Sequence, residues 1–190
     1  DPDVAASPAV VDRMRVASEV FDAALARLQQ GQLDEAARGF QAVLAAEPGH
    51  AAASHLLGVV FLQRGEVDRA VRQIRFATVL DPNLAIAHYN LGNALAAQGD
   101  TDSAIAAFDR AISLRPGFFE ARYNRANALA QARRDEEAIA GYDAALVIKP
   151  NFAQAHNNRG NALRRLGRVA EALVAVEQAL ALDPSLADAH

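Results

Sequence analysis

From Ala85 to Gln98 apolar residues return at helical spacing: Ile86, Tyr89, Leu91 and Leu95. Gly99 then supplies the left-handed backbone that ends a helix at little cost. Asp100, Thr101 or Asp102 is placed to cap a following helix, whose buried stripe is Ala104, Ile105, Phe108, Ala111, Ile112 and Leu114. Pro116 blocks continuation and pushes Arg115 out of the helical region. The pattern predicts a helix, a tight turn, a second helix and a proline stop, and such short links force the two helices antiparallel.

This unit recurs. Pro48, Pro82, Pro116, Pro150 and Pro184 stand 34 residues apart, as do Ala36, Ala70, Ala104, Ala138 and Ala172. Gly31, Gly65, Gly99 and Gly167 keep the same step, with Arg133 in the remaining slot. A period of this length means a solenoid, in which each unit buries its apolar face against its neighbours. Helix pairs are expected near 17–30 with 34–46, 51–64 with 67–80, 85–98 with 101–114, 119–132 with 135–148, and 153–166 with 169–182. Ser7 and Pro8 read as an N-cap and first helical position, so the first helix starts early and residues 1–16 extend it. The units fall near 17–50, 51–84, 85–118, 119–152 and 153–186, with 187–190 opening a sixth, in one array over 1–190. The alanine row marks helix crossings that a larger side chain would overpack. Arg133, a residue with a Cβ in a left-handed slot, marks the fourth unit's turn as the least stable or differently shaped one.

Composition narrows the class. Hydrophobic residues make up 52% of the 190, and abundant alanine suits close-packed helices better than sheets. A net charge of −4 gives no general electrostatic reason to bind nucleic acid. There is no cysteine, hence no thiol nucleophile and no Cys-ligated zinc. No apolar run approaches the roughly 20 residues that span a bilayer, so no membrane insertion is expected. The chain opens at Asp1 with neither methionine nor signal segment and reads as a fragment or a processed chain.

The segments Leu57–Gly58…Phe61…Ala70…Ala77…Pro82, Leu91–Gly92…Ala104…Phe108…Ala111…Pro116 and Gly160…Ala172…Ala179…Pro184 resemble the tetratricopeptide repeat. Two units depart from it: Ala23–Ala24 and Arg125–Ala126 stand where Leu–Gly is usual. The resemblance covers roughly residues 17–190. It implies an all-α, right-handed solenoid of antiparallel helix pairs, with the first helix of each pair lining a concave groove. It also implies binding of a protein or peptide, with no cofactor and no chemistry of its own.

Within the first helices, HYNLGNAL (88–95), RYNRANAL (122–129) and HNNRGNAL (156–163) set two rows of amides: Asn90, Asn124 and Asn158, and Asn93, Asn127 and Asn161. Asparagine is a poor interior helix residue. Its amide offers donors and an acceptor, so a row of amides can hold a peptide backbone whatever its side chains. The alternative is that one or both rows bond between helices or repeats. The rows are similar to those of O-linked N-acetylglucosamine transferases and many bacterial arrays, which implies an inner-face location for the first row. Tyr89 and Tyr123, in equivalent places, form an aromatic edge for ligand side chains or pack against the next unit. Phe21 and His55 hold that position earlier, where Leu56 and Val59 replace the asparagines and make the groove more apolar. Chaperone-binding members of the family clamp a terminal carboxylate with asparagines plus cations. The matching slots here are Tyr89, Asn93, Asn124, Gln154 and Asn158, with Lys149 the chain's only lysine, and no such clamp is expected.

His88, His156 and His190 share one repeat position on different helices, too far apart to share a metal ion. Arg159, Arg164, Arg165 and Arg168 read as a solvated helix end or as a site for an acidic ligand. No phosphate loop, nucleophile elbow or zinc motif is present, and no enzyme is expected in this chain. The expected function is an interaction module that takes an extended partner segment in its groove. The alternatives are a docking domain of a larger enzyme such as a glycosyltransferase, and a scaffold that forms homo-oligomers through its last repeat, where Leu173, Val176, Leu180 and Leu182 would expose apolar surface.

Overall fold

The prolines and turn glycines divide the chain into helices close to the expected ranges. The computed structural model describes residues 8–189, with α1 Pro8–Gln29, α2 Leu33–Ala46, α3 Ala51–Gln63, α4 Val67–Leu80, α5 Ala85–Gln98, α6 Thr101–Leu114, α7 Phe119–Gln131, α8 Asp135–Ile148, α9 Ala153–Arg165 and α10 Val169–Leu182. A short 3-10 helix follows at Pro184–Ala189. Among the described residues there is no strand. The helix onset at Pro8 agrees with the expected early start, while Ser7 lies outside the described residues. Asp100 caps α6, its Oδ1 accepting from the Ser103 N–H at 3.2 Å.

The chain divides into two compact units, Asp1–Ala94 and Leu95–His190. In the first, α1 pairs with α2 and α3 with α4, and α2 also packs on α3. In the second, α7 pairs with α8 and α9 with α10, with α6 against α7 and α8 against α9. The core is a run of small contacts between neighbouring helices. Ala36, Ala70, Ala104, Ala138 and Ala172 are all buried at the crossings, as their register requires.

The two departures from the Leu–Gly pair are compensated one helix later. Ala24 faces Gly39, where an added Cβ would come within 2.6 Å of the Ala24 Cβ, and Ala126 faces Gly141, where the distance would be 2.9 Å. Where the first helix keeps its glycine, at Gly58 and Gly160, the second helix carries Gln73 and Ala175 at the position of Gly39 and Gly141. Between the α7–α8 and α9–α10 crossings a methyl group has moved from one side to the other, from Ala126 facing Gly141 to Gly160 facing Ala175.

The inter-helix turns show the predicted backbone. Gly31, Gly65, Gly99 and Gly167 have φ of 73°, 75°, 88° and 74°, and Arg133 joins them at 63°. A side chain in this region costs on the order of 1 kcal/mol. Arg133→Gly should therefore stabilise the protein by up to ~1 kcal/mol in urea unfolding. A lower unfolding midpoint in the variant would contradict this.

Candidate functional site

The first helices of the second unit carry the polar residues that the repeat pattern singled out. Tyr123 and Asn127 sit on α7, and Asn158 and Asn161 sit on α9, all half-buried. The structure joins three of them. Asn158 Nδ2 donates to the Tyr123 hydroxyl at 3.1 Å and to Asn127 Oδ1 at 3.0 Å. Tyr142, from α8, completes the network by donating its hydroxyl to Asn127 Oδ1 at 2.7 Å. Tyr142 is buried, and that burial pushes its phenol above the usual range, so it stays a neutral donor. The Tyr123 ring lies 5.0 Å from Phe152 in an edge contact and is packed with Phe119 at 6.2 Å.

In the first unit the first asparagine row behaves alike. Asn90 Nδ2 donates to His55 Nε2 at 2.7 Å. The spacing of 35 residues is the same as that from Tyr123 to Asn158, so each of these amides reaches back to the aromatic position of the preceding repeat. His55 is only 5% exposed, and burial lowers its pKa to about 4. Its imidazole is therefore neutral near pH 7 and free to accept. Tyr89, Asn93 and Asn124 are half-buried, and each has interactions of its own.

The second unit leaves an open polar cleft of about 380 Å³ beside this network, lined by Asn127, Ala130, Gln131, Tyr142, Asn158, Asn161 and Arg165. Asn161 and Gln131 have no side-chain hydrogen-bond partner among the described residues. Arg165 has one. Its Nε donates to both carboxylate oxygens of Asp135 at 3.0 Å, and its Nη2 adds a further contact. Asp135 opens α8 and is buried, and the hydrogen bond from Arg165 holds its carboxyl below the usual range. Removing Arg165 would leave the buried Asp135 carboxylate unpaired.

Two sequence features resolve differently. Arg159 pairs with Asp143 and Arg168 with Glu171, at 2.6 Å each. With Arg165 held by Asp135, the basic cluster is largely neutralised within the fold. His88 and His156 donate through Nε2 to the carbonyls of Pro82 and Pro150, at 3.0 and 2.8 Å, and Arg122 does the same to Pro116 at 3.0 Å. This repeat position fastens the loop that precedes α5, α7 and α9, while its counterpart on α3, Ser54, donates to the Gln73 carbonyl at 3.1 Å. Among the described residues no cluster could hold a metal ion, and no helix is long and apolar enough to cross a membrane.

Sequence reasoning missed Tyr142 and Gln131. The signal for Tyr142 was a hydroxyl at a buried position held elsewhere by Phe40, Ile74, Phe108 and Val176. Gln131 ends its helix and carries no distinguishing pattern in the chain, since Gln29, Gln63 and Gln98 also lie near first-helix ends.

An array of helix pairs with an open polar face defines a helical-repeat interaction module. Residues 21–85, 62–117 and 89–151 match one description of the tetratricopeptide repeat, and residues 153–186 match another. The chain belongs to the tetratricopeptide repeat family and is an all-α solenoid. No curated protein matches it. Among solved structures it is similar to a MamA protein at 27% identity, covering 90% of this chain and 94% of that one with a TM-score of 0.82. A second MamA structure gives 28% identity, 85% and 95% coverage and a TM-score of 0.80. The fold is shared also with YrrB, described as a TPR protein with an unusual peptide-binding site, at 21% identity, 87% and 85% coverage and a TM-score of 0.78. The chain is a protein-interaction module, and its partners are proteins or peptides.

Proposed function

We propose that the face formed by α7 and α9 binds an extended peptide segment of a partner protein, holding its backbone through side-chain amides. The observation that carries this reading is the pair of unengaged carboxamides, Gln131 and Asn161, in one open cleft. Each can donate to a peptide carbonyl and accept from a peptide N–H. Asn127, Asn158, Tyr123 and Tyr142 are mutually hydrogen-bonded and fix the wall of the cleft before ligand arrives, which lowers the ordering cost of binding. Asn124 continues the first row on α7, and Tyr89, Asn90 and Asn93 hold the equivalent repeat positions in the first unit.

A peptide selected from a random display library against the whole protein tests this. Gln131→Ala with Asn161→Ala should weaken its binding roughly tenfold, since each lost bond is worth about 0.5–1.5 kcal/mol. The thermal midpoint should stay unchanged, because neither amide bonds within the fold. Asn158→Ala should lower the midpoint as well, because it leaves Tyr123 and Asn127 short of a partner. Unaltered affinity in the double variant would refute the assignment.

A further inference from the structure

A cleft of about 320 Å³ opens between α2, α3 and α4, lined in part by Gln41, Leu44, Leu57, Phe61, Arg69 and Arg72. The second unit has its counterpart between α6, α7 and α8. Asp109, Ile112, Arg125, Glu137 and Ala140 stand there, two repeats of 34 residues after Gln41, Leu44, Leu57, Arg69 and Arg72. The two clefts differ in charge. In the second, every charged side chain has a partner. Arg125 Nε donates to Asp109 at 2.6 Å, Arg134 pairs with Glu137 at 2.7 Å, and Arg122 donates to the Pro116 carbonyl at 3.0 Å. In the first, Gln41 and Leu57 replace the Asp109–Arg125 pair, and arginines replace Glu137 and Ala140. Arg69 lies over the Phe61 ring at 3.9 Å and pairs with Glu66. The Arg72 guanidinium and the Gln41 amide have no partner among the described residues. The exposed face of α4 runs on through Arg75, whose guanidinium is likewise unpartnered among the described residues, to Phe76 at 47% and Val79 at 70% exposure. In a chain of net charge −4, this helix sets two unanswered positive charges beside apolar surface.

We propose that this cleft and the adjoining face of α4 dock an acidic segment of a partner protein, one that carries a bulky apolar side chain beside its carboxylates. A carboxylate entering the cleft accepts a forked pair of hydrogen bonds from Arg72 and a further one from the Gln41 amide. It brings to the first cleft the charge that Asp109 supplies within the second. Another carboxylate meets Arg75, and the apolar side chain covers Phe76 and Val79. Charge complementarity selects this occupant, because a basic segment would meet Arg72 and Arg75 with like charge. All of these residues lie on α2, α3 and α4 in the first unit, whereas the amide cleft belongs to the second, so this inference stands independently of the proposed function.

A random peptide library displayed on phage, panned on the whole protein and counter-panned on a variant with Arg72→Glu and Arg75→Glu, is the probe. Clones held by the parent alone should be enriched in aspartate or glutamate close to leucine, isoleucine or phenylalanine. A synthetic peptide from such a clone is then followed by fluorescence anisotropy. Arg72→Ala should weaken its binding about tenfold, as expected for loss of a charge-assisted pair. Gln41→Asp should weaken it by a similar factor, because the new carboxylate takes Arg72 from within, as Asp109 takes Arg125. Arg164→Ala removes the same charge from the second unit and should have no effect, nor should Gln131→Ala with Asn161→Ala. Gln41, Arg72 and Arg75 are exposed, and circular dichroism confirms that the variants remain folded. The absence of clones that distinguish the parent, clones without acidic enrichment, or a peptide indifferent to Arg72→Ala would overturn the inference. So would a dimer in sedimentation equilibrium that the double glutamate variant abolishes, since the face would then belong to a second copy.

Discussion

Gly58→Val should lower the unfolding free energy by about 3 kcal/mol, at the upper end of what overpacking a helix contact costs. A Cβ at this position meets Ile74 Cγ1, the Ile74 backbone nitrogen at 3.1 Å and the Ala70 carbonyl oxygen at 3.3 Å. The side chain of Ile74 could turn aside, but the α4 backbone could not without separating from α3. Two further methyl groups on valine deepen the clash, and the helix-propensity gain over glycine offsets only a few tenths of a kcal/mol. Gly49 is the control. It has open space around its Cβ direction, and Gly49→Ala should change stability by no more than about 0.5 kcal/mol. Urea unfolding of the two variants decides the matter, and equal midpoints would show that the α3–α4 crossing has slack that the geometry denies.

Acid should destabilise the protein through His55. In the unfolded chain this imidazole titrates at its usual 6.5, whereas in the fold burial lowers the value to about 4. Between those values the unfolded state binds a proton that the native state refuses. Stability is therefore complete above pH 6.5 and is lost as pH falls toward 4, by about 3 kcal/mol in all. Protonation also ends the acceptor role of Nε2 toward Asn90. His55→Tyr isolates the effect, because tyrosine occupies the same repeat position at 89 and 123, and the Tyr123 hydroxyl accepts from Asn158. Urea unfolding of parent and variant at pH 7 and 4.5 should show a steeper loss in the parent. Equal losses would assign the acid sensitivity to the carboxylates.

Much of the fold was legible because its determinants are local. Prolines, turn glycines and helical spacing set the boundaries within a residue or two, and Arg133 declared its left-handed turn by standing in a glycine register. The methyl exchange between Ala126 and Gly141 was not legible, since the partners lie 15 residues apart on different helices and Arg125–Ala126 read alone as a departure from the family pattern. The asparagine rows were visible, but their engagement was not. Asn158 and Asn161 look alike in the sequence, yet the first bonds to Tyr123 and Asn127 while the second opens into the cleft. That difference depends on which way each residue faces toward the preceding repeat. The same holds for the histidines: their shared repeat position spoke against a common metal ion without saying what they do, and the structure turns His88 and His156 onto proline carbonyls.

The central claim is that unengaged side-chain amides on the α7–α9 face hold a peptide backbone. Heteronuclear NMR of the whole protein, titrated with the display-selected peptide and read at the side-chain amide groups, tests it most directly. The account predicts that the Gln131 and Asn161 amide signals shift in step with saturation, while that of Asn158, already committed within the fold, moves less. Saturation with the Gln131 and Asn161 signals unmoved would contradict it.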